Sequence, residues 1–592
     1  MCRKHRRRRV TIARARSFRV LEARRHPTRM PSPDVPTRTN RDSHGMRLST
    51  FCGAAAALIL GLIAAGCSRS SAGDTKSARN SIITIASPVD ADALIPPLVS
   101  TTQGKQAVDM LFDFLAEAKT PISTIGDAGF GPQLAAHWQW AADSLSIAFS
   151  IDPRARWHDG APVTAKDVQF SFALFTDPRV ASMHASDYTG IDSVSVRDSL
   201  TAVVWWHARH PEQFFQIAYN LSVMPEHLLR EVPRDSLLRS TFADHPIGSG
   251  RYRFAQWNRQ HDLMFEADTA NYRGAPAAKR IVWVITADPT AASLSVLAGQ
   301  ADVLESVRGD AYKQVRKSSS VRAVEYESLD YSYMLFNRER TVSGTKRLFA
   351  DRALRVALTE TIDRAAVVAN ALDSLGRVAL GPFTRATDAV DTTMRQIAFD
   401  TVAAAHTLDS LGWMRDPADG LRHRAGHVLR VSVMVPTASA TRKRVAVLLQ
   451  SQLKAVGIAV DVDAVESQVF AARLAKGDFE AALNTWRTDP SPSSIRQVWG
   501  THGTDVEANY GRYSNPAFDA AVDSAASTFD PANRKALYRR AYQSIVDDAA
   551  AVWLYEPRNF AAVNARVSPV GMRADAWWAQ LPHWKVAAVG TP

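Results

Sequence analysis

The sequence predicts an α/β protein, and three observations predict it. Between Leu429 and Trp486 strand-like and helical patterns follow one another as β-α-β-α-β, the grammar of an α/β lobe. From about residue 80 onward, short strand-like runs alternate with helical patterns, without a repeat of fixed period or a low-complexity stretch. The composition, 46% hydrophobic and 22% charged over 592 residues, is that of a globular chain of several domains or of one large two-lobed unit. Three cysteines exclude a disulfide scaffold and a Cys-rich zinc module.

Each element has a local reason. Ser81–Ala86 (SIITIA) reads as a buried strand, and Leu145–Ile151 (LSIAFSI) as one with alternation. Asp159-Gly160 is a turn signal. A helix starts at Thr164, with Thr164 as N-cap and Asp167 in the capping-box place, and runs through Phe175. Ile281–Ile285 (IVWVI) is a further strand. In the second half, Leu429–Val435 is a strand, Ala440–Val456 a helix ended by Gly457, and Ile458–Val462 a strand. Gln468–Ala475 is helical up to Lys476-Gly477, and Phe479–Trp486 is the next strand. Asn515-Pro516 and Asp530-Pro531 each set an N-cap residue before a Pro at the first helical position.

The net charge of +12 is concentrated at the start of the chain. Residues 1–45 hold 14 Lys/Arg and 3 Asp/Glu, whereas 56 basic and 56 acidic residues cancel from Cys67 onward. The body of the protein therefore carries no basic bias of the kind that points to nucleic acid, which is not expected as a partner. Residues 46–66 (MRLSTFCGAAAALILGLIAAG) have the layout of a secretory signal: Arg47, an apolar run from Phe51 to Ala65, then small residues before Cys67. The run is shorter than the about 20 residues a membrane-spanning helix needs. Residues 1–45 read as an N-terminal extension from a start called too early, with Met46 the expected start. The Ser-rich residues 67–80 read as a tether.

The Cys after small residues resembles a bacterial lipoprotein signal, which implies lipidation of Cys67 and a membrane anchor through it. Further motifs extend the likeness. Gly131–Asp167 carries Pro132, Leu134, Ala135 and Trp138, then Trp157-His158-Asp159-Gly160, Pro162, Thr164 and Asp167. Pro246-Ile-Gly248-Ser-Gly250-Arg-Tyr252 follows, then Gly299 to Asp302, Phe336-Asn337, Phe349 to Ala357, Ile362-Asp363-Arg364, Leu411-Gly412-Trp413, Tyr513 to Pro516 and Trp584-Lys-Val586. In this order they resemble the signature of the family 5 extracellular solute-binding proteins, the peptide, nickel and oligosaccharide receptors of ABC importers. Arg251 stands where the family pattern has Pro.

That resemblance implies a periplasmic-binding-protein-like (type II) fold: two α/β lobes, an enlarged first lobe and two hinge crossings. Residues 81–336 and 556–592 would form the first lobe and 337–555 the second, with crossings near Tyr331–Asn337 and Trp553–Arg558. Ligand would bind between lobes that close by hinge motion.

Asp489 is the leading candidate binding residue. It follows the end of the Phe479–Trp486 strand, and open α/β sheets bind ligands outside the carboxyl ends of their strands. The resemblance of Trp486-Arg-Thr-Asp489 to the W-x-x-D segment of peptide-binding members implies that Asp489 pairs with a peptide ammonium. The other reading of Asp489 is a loop residue capping its own turn. Trp486 either stacks on ligand or packs in the core. Arg487 either meets a ligand carboxylate or is a solvated surface group. Trp577, Trp578 and Trp584 are expected to pack on the first lobe.

The chain has no H-E-x-x-H, G-x-S-x-G, P-loop or strand-linked G-x-G-x-x-G motif, and the His158-Asp159 pair reads as turn structure rather than as metal ligands. No catalytic residue, metal or cofactor is expected. The sequence thus points to a receptor, periplasmic or at the cell surface, that passes a small solute to an ABC permease. Peptides are the first expectation. Oligosaccharides, opines and chelated metals remain within the family, and a non-transport surface receptor or an exported hydrolase outside it.

Overall fold

The computed structural model describes residues 81–340, 347–387, 390–501 and 508–587. Residues 1–45, the signal segment, Cys67 and the tether lie outside the described residues.

Two main sheets organise these residues. The first has seven strands in the order Val321–Tyr326, Asn559–Asn564, Val303–Leu304, Ile82–Ser87, Arg280–Ile285, Asp262–Ala267 and Tyr252–Asn258. Ile82–Ser87 lies at its centre, parallel to both neighbours. A four-stranded antiparallel sheet built from residues 135–206 joins the same lobe. One hydrophobic cluster unites Ile83, Phe149 and Trp283 with Trp577, Trp578 and Trp584, so the C-terminal tail closes the first lobe.

The second sheet has six strands, in the order Gly376–Arg377, Ala551–Pro557, Asp330–Phe336, Ala481–Arg487, Arg430–Pro436 and Ala459–Val465. Side chains alternate across a strand. Along Asp330–Phe336 this sends Tyr331, Tyr333 and Leu335 into one cluster and Met334 and Phe336 into another. The sheet is therefore covered on both faces along this strand, which is buried from Tyr331 to Phe336.

The chain changes sheet twice, between Tyr326 and Asp330 and at Arg558. The first change precedes the expected crossing at Tyr331–Asn337, because Asp330–Phe336 pairs with Ala481–Arg487 along its whole length. The second change follows Pro557, so Glu556 and Pro557 stay with the second sheet. Arg558 donates from Nε to Glu325 Oε1 at 2.6 Å, which ties the two crossing segments together.

Local signals fix the element ends. Thr164 and Asp167 form the capping box, with Thr164 N donating to Asp167 Oδ2 at 2.7 Å. Gly477 ends its helix at φ 69° and Gly457 sits at φ 87°, both left-handed conformations suited to glycine. Asn515 and Asp530 cap the two long helices that follow them.

His158 and Asp159 serve the scaffold. His158 Nδ1 accepts from Gly248 N at 3.2 Å, which leaves Nε2 to donate to Gly250 O at 2.9 Å. Burial lowers the pKa of this imidazole, in keeping with the neutral tautomer those two bonds require. Asp159 pairs with His227 at 2.9 Å beside the Gly160 turn. The two glycines of the Pro246–Tyr252 segment are there for space. A Cβ on Gly248 would stand 1.8 Å from Leu111 O, and one on Gly250 2.4 Å from Met110 O. Gly248→Ala is expected to lower unfolding stability by about 1–3 kcal/mol or more, since backbone must move. Thermal unfolding beside Gly131→Ala, where a Cβ would meet nothing nearer than Lys119 Cε at 3.9 Å, checks this.

Candidate functional site

The site grows from the end of one strand. In Ala481–Arg487, Trp486 lies opposite Tyr331 and Arg487 opposite Asp330. Beyond it Thr488 N donates to Leu329 O at 2.8 Å, which pins the next loop to the first crossing segment. Asp489 Oδ1 accepts from Ser491 N at 2.8 Å, an Asx turn, and Pro490 and Pro492 are buried beside it. A short helix then starts at Pro492. The loop is held from both ends, and its acidic side chain faces a cavity.

That cavity, about 350 Å³, lies between the lobes. Lys105, His184, Asp187, Tyr219 and Asp575 wall it from the first lobe, and Trp486, Arg487, Asp489 and Gln497 from the second. The three residues singled out from the sequence are thus brought to one wall. Trp486 is half-buried and packs against the second-lobe core on one side while lining the cavity on the other. Arg487 reaches across the lobes, where its Nη2 donates to Ala574 O at 2.9 Å.

Three carboxylates face the cavity, and two are answered. Asp575 takes Arg573 at 2.8 Å and the Tyr219 hydroxyl at 2.6 Å, and Asp187 lies 3.4 Å from His184. Asp489 has no cationic partner among the described residues. Its side chain is exposed to the water of a cavity that both lobes wall. Loss of bulk solvation, followed by the charges of Asp187, Glu212 and Asp575, pushes its pKa up to about 7.

Behind the loop stands a group the sequence reading missed. Glu212, from the first lobe, is buried and accepts four side-chain donors. Thr124 Oγ1 donates at 2.9 Å from its own lobe. From the second lobe come Ser491 Oγ at 2.6 Å, Ser493 Oγ at 2.7 Å and Arg534 Nη2 at 2.5 Å. The Arg534 side chain is 2% exposed. The loop that carries Asp489 is therefore fastened to the opposite lobe two residues further on. One sequence signal pointed this way. Arg534 sits in the buried stripe of its helix with Tyr538, Ala541, Tyr542 and Ile545, and a guanidinium in such a stripe requires an acid from elsewhere.

Two lobes, two crossings and a walled cavity between them define a clamshell binding protein. The chain belongs to the bacterial extracellular solute-binding proteins, family 5, matched over residues 129–506. It is an extracytoplasmic substrate-binding protein of the ABC-importer type; its relatives are binding proteins rather than enzymes. It is 25% identical over 424 residues to the oligopeptide-binding protein AppA of Bacillus subtilis, covering 71% of this chain and 77% of that protein. It is 27% identical over 489 residues to Protein XP55 of Streptomyces lividans, covering 81% and 84%. In fold it is similar to AppA of Bacillus subtilis in complex with a nonapeptide, with a TM-score of 0.71 at 22% identity, over 86% of this chain and 99% of that one. It is also similar to NikZ of Campylobacter jejuni in complex with Ni(L-His), with a TM-score of 0.71 at 21% identity and the same coverage.

Removing one partner of a buried ion pair costs about 3–5 kcal/mol, chiefly because the other charge is stranded. Glu212→Ala is expected to shift the protein toward open forms, visible as a larger radius of gyration in small-angle scattering. Glu212→Gln, which keeps the shape and loses the charge, is expected to fall between it and the native protein. Identical scattering from all three would contradict a cross-lobe role for Glu212.

Proposed function

We propose that this chain captures short peptides between its lobes, holding the peptide ammonium at Asp489, and hands them to an ABC permease from a lipid anchor at Cys67. The observation that carries the reading is Asp489. It is a carboxylate just past a strand end, exposed to an interlobe cavity and without a cationic partner among the described residues. Such a group is costly until a cation arrives, so it selects cationic solutes. A ligand that touches Asp489 and the first lobe together stabilises the closed form over the open one, which the permease can read. Trp486 offers an aromatic wall to the bound chain, and the names of the curated relatives support peptides as cargo. The role is binding rather than turnover.

A second reading is a chelated metal, favoured by the likeness to the protein crystallised with Ni(L-His). Denaturing protein purified from cells and analysing the released small molecules by mass spectrometry separates the two. Short peptides are expected. Nickel or another chelated metal would replace that reading, and a changed product after incubation with peptide would replace the binding role by hydrolysis.

The pH dependence follows from the sign of the shift. Asp489 in the empty protein is protonated below about 7 and ionised above it. Affinity for a ligand cation that keeps its charge should therefore rise about tenfold from pH 6 to pH 8, and for a peptide ammonium, which itself loses its proton near pH 8, about fourfold. The neighbouring charged groups are Asp187, Glu212, Asp575, His184, Lys105 and Arg487. The pKa of His184 is raised, chiefly by its bond to Asp187, so it titrates in the same direction. Asp489→Asn isolates the contribution: calorimetry should find weak binding whose remaining pH dependence is the smaller one that His184 supplies.

A further inference from the structure

A second cavity, about 80 Å³, lies wholly in the first lobe. It exceeds several-fold the about 10–15 Å³ that one water requires. Lys105 and Tyr219 line both this cavity and the one between the lobes, so the two adjoin.

Three guanidiniums line the side pocket, and two of them are answered. Arg273 pairs with Asp113, which also accepts from Ser249, Tyr272 and Gln133. Arg573 grips Asp575 through Nε and Nη2 at 3.1 and 2.8 Å and gives Nη1 to Ala118 O at 2.7 Å. Arg251 has no carboxylate within ion-pair distance among the described residues. Its Nη1 lies 3.0 Å from His583 Nε2 and its Nη2 donates to Arg273 O at 3.2 Å. Its Nε is buried and without a partner, as is the Nε of Arg273. The remaining acids of the pocket are engaged. Glu117 accepts from Gln580 at 2.6 Å, and Asp109 from Lys105 at 2.5 Å and Trp578 at 2.9 Å.

We propose that this pocket is an anionic subsite of the ligand cavity, in which the Arg251 guanidinium takes a carboxylate of the bound solute; the assignment rests on the solute-binding role above. Guanidinium and carboxylate match in geometry and form short charge-assisted bonds. The charge state of the surroundings agrees with an unanswered cation. Burial and then the Arg273 charge lower the pKa of Arg251, and burial followed by Arg251 lowers that of His583. The pocket also completes a division of labour. Its cations belong to the first lobe and Asp489 to the second, so a dipolar solute spans both and favours closure. Arg251 replaces the Pro of the resembling motif, which makes the subsite a property of this chain. The carboxylate comes either from an acidic side chain or from a peptide C-terminus, and the two sources give different results.

The test is calorimetry on protein purified from cells and freed of retained ligand, with Ala-Glu-Ala, Ala-Gln-Ala and Ala-Gln-Ala amide. A side-chain source makes Ala-Glu-Ala at least tenfold tighter than Ala-Gln-Ala; a C-terminal source makes Ala-Gln-Ala at least tenfold tighter than its amide. Arg251→Gln should bring that preference to within twofold, and Arg251→Lys should keep part of it. Circular dichroism and unchanged binding of the disfavoured peptide verify that the variants are folded. The same preference in Arg251→Gln as in the native protein overturns the proposal, as does the absence of any carboxylate preference. If no peptide binds, thermal shift with glutarate against glutaramide makes the same comparison. A glutarate shift lost in Arg251→Gln then sustains the subsite and retires peptides as cargo, whereas no shift overturns the subsite.

Discussion

The arrangement of the lobes depends on one carboxylate. Glu212 is stripped of most of its water, and a charge in that position is tolerable only if protein donors replace the solvent. Three of its four side-chain donors, Ser491, Ser493 and Arg534, come from the other lobe. When the lobes part, both Glu212 and Arg534 lose their partner and must be resolvated. The bonds are charge-assisted, the stronger class of protein hydrogen bond. The closed arrangement therefore has protein-made support besides whatever a ligand adds.

The same few residues couple this fastening to the ligand cavity. Asp489, Ser491 and Ser493 share one short loop, and Ser491 N donates to Asp489 while Ser491 Oγ donates to Glu212. The loop hangs from the carboxyl end of Ala481–Arg487 and from Leu329 of the first crossing. Strand, crossing and fastening together set where the carboxylate stands. Loss of bulk solvation and then crowding by neighbouring acids raise the cost of its charge in the empty cleft. In the proposed function a cation removes that cost, which is what would separate a receptor site from a surface acid. Arg573 and Tyr219 hold Asp575 on the opposite wall, so the cavity keeps its shape through bonds that do not need ligand.

Most of the fold was legible because its signals are local. Capping at Thr164, Asn515 and Asp530 and left-handed glycines at Gly457 and Gly477 mark element ends within a few residues of chain. Asp489 was legible through the position of its strand end. The first crossing was misplaced because Tyr331–Phe336 is buried throughout and covered on both faces, so its pattern carries no mark of which sheet it joins. Glu212 was illegible for a different reason. Ser491 is 279 residues from it and Arg534 is 322, and no pattern along the chain encodes a bond of that separation. Arg251 was visible as a departure from a motif, but its missing partner could be read only from the packed lobe.

The central claim is that the cavity-facing carboxylate of Asp489 recognises a cation. The most direct measurement is calorimetry at pH 8 with one tripeptide and its N-acetylated twin, in which a neutral acetamide replaces the ammonium. Truncating one side of an enclosed charge pair costs about 2 kcal/mol or more, so the free amine should bind at least about thirtyfold more tightly. Equal affinity for the two peptides would contradict the account.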